Sequence, residues 1–132
     1  MSAEMAPEMA VRAAALAALR GDAALDALLN GMFDGPPGKA SAPYAILGDC
    51  IGADWGTKDA PGREVRLTLI VQDKGETGAA LAEMLALADA AIGRITVPGW
   101  QVASARLLRS RIVRAREEGW RATVDYRVRV LG

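Results

Sequence analysis

From Trp120 to Val130, the residues Trp120, Ala122, Val124, Tyr126, Val128 and Val130 alternate without a break with Arg121, Thr123, Asp125, Arg127 and Arg129. A period of two sustained this long does not fit a helix, which repeats every ~3.6 residues; it dictates a strand with one apolar and one charged face. Such a strand presents unpaired backbone groups on both edges and needs a partner of similar length. The preceding segment, QVASARLLRSRIVRAREEG, is ambiguous by periodicity alone. Leu108, Ile112 and Ala115 fit a helix, whereas Val102, Ser104 and Arg106 followed by a shift at Leu107-Leu108 fit a bulged strand. The need for a long partner, with Glu117-Glu118-Gly119 available as a turn, favours an antiparallel hairpin whose polar faces are rich in arginine.

Upstream, Pro7 suits a first helical turn, with Glu4 and Glu8 near the positive end of the dipole and Val11, Ala14, Ala15, Ala18 and Leu19 at helical spacing to about Arg20. Asp22 is an N-cap for a second short helix carrying Leu25, Leu28 and Leu29, and Asn30-Gly31 is its stop signal. FDGPPGKASAP reads as a loop, and YAILGDCI, Tyr44 to Ile51, as a short strand. Val65, Leu67, Leu69 and Val71 alternate with Glu64, Arg66, Thr68 and Ile70, giving a second strand. The connection between these strands, rich in glycine and holding Trp55, Lys58 and Asp59, exceeds the usual hairpin loop of ~2 to 5 residues and reads as an exposed arm. A helix opening at Glu76 or Thr77 carries Leu81, Met84, Leu85, Ala88 and Ile92 on one side and closes at Gly93. The order α, α, β, β, α, β, β predicts an α+β fold, an antiparallel four-stranded β-sheet with helices packed on one face, in a single domain spanning 1–132.

Chemistry is scarce. The chain has no histidine, which removes the commonest general base and metal ligand and both Ser/His and Cys/His catalysis. Asp49, Asp54, Asp59 and Asp73 lack the spacing of a calcium loop, GTKDAPG lacks that of a phosphate-cradling loop, and Glu117-Glu118 diverge in a turn. No catalytic, cofactor or metal site is expected. The lone Cys50 reads as a small core residue in a reducing compartment, and the N-terminal stretch, carrying Glu4 and Glu8, lacks the basic region of a signal peptide. No apolar run reaches the ~20 residues that span a bilayer, so a cytoplasmic product is expected.

Net charge is zero but unevenly spread: residues 1–93 hold 7 basic and 13 acidic side chains, and residues 94–132 hold 9 arginines against 3 acids. Three uses of the basic hairpin stand: a solvated face that discourages aggregation, a subunit contact with the acidic part of another copy, or phosphate contact in a nucleic-acid-binding module. Trp55 either folds back onto the sheet or anchors in a neighbour. With no chemistry to serve, assembly explains the loop better.

The progression ALRGDAALDALL, MFDGPPGKASAPYAILGD and DWGTKDAPGREVRLTLIVQDKGETGAALAEMLALADAAI, closed by an Arg-rich hairpin, resembles the tail-terminator or tail-completion family of long-tailed phages, especially the versions carried by gene transfer agents. The resemblance spans about Met9 to Leu131, with PYAILG, Trp55 to Lys58 and REVRLTLIVQD its most specific parts. It implies a structural protein: a ring, usually of six subunits, that caps the tail tube, ends its polymerisation and joins the tail to the head. Implied partners are other copies of the chain, the tail tube protein and a head-side connector or stopper protein. DNA passes through the lumen without being read, and neither membrane nor cofactor is involved. The protein is expected in the cytoplasm during assembly and then in the tail or neck of the particle. By position, Trp55, Thr57, Lys58 and Arg63 reach towards a neighbouring subunit or the tube. Arg109, Arg111, Arg127 and Arg129 of the basic hairpin complete the candidate interface.

Overall fold

A computed structural model describes residues 5–132. Its elements run α1 (Pro7–Arg20), α2 (Ala23–Leu28), β1 (Gly31–Asp34), β2 (Tyr44–Asp54), β3 (Gly62–Asp73), α3 (Ala79–Gly93), β4 (Gln101–Ala115) and β5 (Gly119–Leu131). The strands form one five-stranded sheet in the order β1-β2-β3-β5-β4. The α+β class stands, but the expectation of four antiparallel strands is corrected: β1 adds a fifth, and it runs parallel to β2, pairing Gly31–Asp34 with Tyr44–Leu47. Phe33 and Asp34 therefore belong to a strand rather than to the loop. The turn begins only at Gly35, whose φ of 83° suits glycine.

The alternation in β3 and β5 builds the core. Their register sets Val65 beside Val128, Leu67 beside Tyr126, Leu69 beside Val124 and Val71 beside Ala122. All eight are buried on one face, under Val11, Ala15, Leu16 and Leu19 of α1, Leu25 of α2, and Leu81, Met84, Ala88 and Ile92 of α3. Each large side chain buried there contributes about 1.5–3 kcal/mol. Tyr126 is the largest fully buried side chain; its hydroxyl donates to Asp89 of α3, and burial followed by that carboxylate pushes the phenol far above its ordinary pKa.

Local signals set the helix ends. Pro7 starts α1, and the Asp22 carboxylate accepts the Leu25 N–H at 2.9 Å to cap α2. Asn30 does more than stop α2: its amide donates to the Ser41 and Ala42 carbonyls, holding the Pro-rich loop against β1. Glu4, placed by the sequence at the positive end of α1, lies outside the described residues. The helix expected to open at Glu76 or Thr77 begins at Ala79, and the strand expected to end at Ile51 continues to Asp54 because Cys50–Asp54 pair with Arg63–Leu67.

The ambiguous segment is a strand. β4 pairs with β5 along its whole length, with register shifts between Val102 and Ser104 and between Leu107 and Arg109, the second at the Leu107-Leu108 pair. Gly119 makes the turn into β5 possible, since its φ is 84° and a Cβ there would lie 2.2 Å from the Asp73 carbonyl oxygen.

Candidate functional site

The loop between β2 and β3 is a built turn. The Trp55 N–H donates to the Gly62 carbonyl at 3.1 Å and the Thr57 N–H to the Ala60 carbonyl at 2.8 Å, while the Thr57 hydroxyl accepts from the Asp59 and Ala60 N–H groups. Thr57 is thus the residue that shapes the tip, on which Lys58 stands exposed. Trp55 is half-buried: the Arg129 guanidinium lies over its ring, 5.2 Å from the centroid. Part of the ring stays open to a neighbour.

Arg129 connects this loop to a charged network on the sheet face turned away from the helices. Its Nε donates to Glu64 at 2.9 Å, and the same carboxylate lies 3.7 Å from Arg66 and 3.9 Å from Arg127. The Arg127 Nε is buried without an acceptor among the described residues. Register explains the crowding: Arg66, Arg127 and Arg106 sit directly opposite one another across β3, β5 and β4. Like charges in that position repel, and Glu64 is the nearest compensation. One row further along, Asp125 accepts from Thr68 at 2.8 Å and from Arg109 at 2.7 Å. The Arg109 hydrogen bond, aided by Thr68, holds the Asp125 carboxyl below its usual range despite partial burial.

The eight candidate residues therefore separate into two groups. Trp55, Thr57, Lys58, Arg63, Arg127 and Arg129 gather at the end of the sheet bearing the β2–β3 loop, although Arg63 crosses to the helix side to pair with Glu8 at 2.9 Å. Arg109 and Arg111 lie further along β4, the outermost strand, where Arg111 has no ion-pair partner among the described residues. Sequence reasoning missed Glu64, Arg66 and Arg106, whose meeting depends on register. It also missed the exposure of Leu107, Leu108, Ile112 and Val113, for which the signal was present: paired apolar residues break the alternation and place apolar side chains on both faces.

Among the described residues no cluster of three or more His, Cys, Asp or Glu side chains could hold a metal ion. Cys50 is half-buried, its thiol donating to the Glu8 carbonyl, and burial raises its pKa, which leaves it a poor nucleophile. No described helix is long and apolar enough to cross a membrane.

Exposed apolar side chains on β4 and the arginine row across β3, β5 and β4 are the distinguishing features of this surface. The chain matches the family described as tail completion protein gp17 over residues 13–131. It belongs to that family. Among solved structures it is similar to a chain from a structure described as the virion of a native gene transfer agent particle. The TM-score is 0.82 at 26% identity, covering 98% of this chain and 100% of that one. A comparison with curated proteins finds no match. As a member of a tail-completion family the protein is structural rather than enzymatic.

Proposed function

We propose that copies of this chain close into a six-membered ring that caps the tail tube of a phage-like particle or gene transfer agent, ends tube polymerisation and joins the tail to the head. The observation that carries this reading is the similarity, over nearly the full length of both chains, to a component of a gene transfer agent virion. The partners are further copies of the chain, the tail tube protein and a head-side connector, with DNA passing through the lumen. The protein is made and assembled in the cytoplasm and ends in the tail or neck. Trp55, Thr57 and Lys58 present the β2–β3 loop to a neighbour or the tube, Arg63 and Arg129 hold that loop end in place, and Arg109, Arg111 and Arg127 supply positive charge to the contacts. Negative-stain imaging of particles from a deletion strain tests this: tails of uncontrolled length, or tails detached from heads, are expected. Normal joined tails would reject it.

The row Arg66, Arg127 and Arg106 favours one other reading, a nucleic-acid-binding module. That module would bind free DNA with steep salt dependence, lost on neutralising Arg109, Arg111, Arg127 and Arg129, whereas a terminator ring binds free DNA weakly at physiological salt.

A further inference from the structure

The sheet has two unfinished edges. Among the described residues β4 is outermost and pairs only with β5. At the other side, β1 covers β2 over Tyr44–Leu47, so among the described residues Asp49 to Asp54 have β3 on one flank and no strand on the other. Unpaired edges invite another strand, and proteins that must avoid pairing keep them short, polar or covered. β4 carries arginines and two register shifts, yet it is 15 residues long and leaves apolar side chains exposed. Of the exposed large apolar side chains among the described residues, Leu107, Leu108, Ile112 and Val113 line the first edge. Ile51, 63% exposed, lies on the second. Met9 is also exposed and shares a helical stripe with Arg12 and Arg20, whose side chains reach the β2 and β1 backbones.

We propose that the β4 edge of one copy adds onto the Asp49–Asp54 edge of the next, so that the sheet continues from subunit to subunit. This rests on the ring reading above and names the surfaces that close the ring. A second copy is the occupant for three reasons. The edges are complementary in charge: β4 carries Arg106, Arg109, Arg111 and Arg114, while Asp49 and Asp54 have no ion-pair partner among the described residues. The edges differ from each other, so their contact is head to tail, the kind that repeats and forms a ring when its rotation closes. The two-fold alternative, β4 against β4, sets rows of arginine opposite each other, which is repulsive.

The test uses two double variants of the full chain, Asp49→Lys/Ile51→Lys on the β2 edge and Ile112→Lys/Val113→Lys on the β4 edge. All four side chains are exposed, so far-UV circular dichroism and melting should show the wild-type fold. Assembly is read by light scattering and sedimentation. The wild type forms oligomers that weaken as salt rises; each variant alone associates about tenfold or more weakly. An equimolar mixture has one intact edge of each kind and forms a dimer that grows no further. Variants that assemble like the wild type, a β2 variant that dimerises by itself, or a mixture that stays monomeric overturns the edge contact while leaving a ring built by other surfaces intact. A wild type that stays monomeric at its solubility limit overturns self-association, and with it both readings.

Discussion

Glu64 stands against three guanidinium groups, at 2.9 Å from Arg129, 3.7 Å from Arg66 and 3.9 Å from Arg127. Glu64→Gln keeps the side chain's shape and removes its charge, so the amide oxygen still accepts from Arg129 without charge assistance, a loss of about 1 kcal/mol. Attraction to the other two arginines disappears as well. Its bare value near 4 Å, about 4 kcal/mol each at an effective dielectric constant of 20, overstates the effect, because Arg66 is 56% exposed and water screens it. Discounted to the scale of partly exposed pairs, the two contribute about 0.5 kcal/mol each. The expected destabilisation is about 2 kcal/mol, a melting-point drop of roughly 6–8 °C for a chain of this size. What remains after the substitution is repulsion among cations, so added salt should recover about half of the loss as the Debye length falls towards ~4 Å at 0.5 M. Calorimetry and urea unfolding at two salt concentrations measure this. A change below about 0.5 kcal/mol at low salt, or a penalty that grows with salt, refutes the network as the compensation for the arginine row.

Gly119→Ala forces a Cβ onto the Asp73 carbonyl at a positive φ and should destabilise the fold by about 2–4 kcal/mol in urea unfolding. Tyr126→Phe removes the hydroxyl donated to Asp89 and leaves that exposed carboxylate to water, so a loss of about 0.5–1.5 kcal/mol by the same assay is expected. Arg109→Ala should let the Asp125 pKa rise towards the ordinary carboxylate value in an NMR titration. Because the folded pKa is depressed, the stabilisation from that pair is present above the unfolded pKa and is lost as pH falls through the folded value, so wild type and variant should converge in stability in acid. Trp55→Ala gives up the contact with Arg129, worth about 0.5–1 kcal/mol to the isolated fold, and under the ring reading weakens assembly by more than it weakens folding.

Elements with a strong period of their own were legible in the sequence. β5, β3 and the helix carrying Leu81, Met84 and Ala88 declare themselves through side-chain spacing, and even the bulge at Leu107-Leu108 left a mark. β1 was not legible because four residues carry no usable period; Gly31–Asp34 is a strand only by virtue of Tyr44–Leu47 beside it. The same holds for the end of β2, extended past Gly52 by its partner Arg63–Leu67. The candidate residues Trp55 and Arg129 were visible singly, but their contact depends on the register of β3 against β5, which brings Gly62 opposite Leu131. Charge patterning identified the basic C-terminal segment without revealing that Arg66 of the acidic half completes its central row.

Arg12 has a geometric consequence. Its guanidinium donates to the Leu47 and Gly48 carbonyls and is paired with Asp34, at the point where β1 ends and β2 goes on alone. Acceptors that a longer β1 would have used are already taken, so a strand arriving from outside cannot slide past Gly48. Under the edge contact proposed above, a single side chain of the first helix acts as a doorstop, defining the farthest register at which a newcomer would seat and giving each successive junction the same offset.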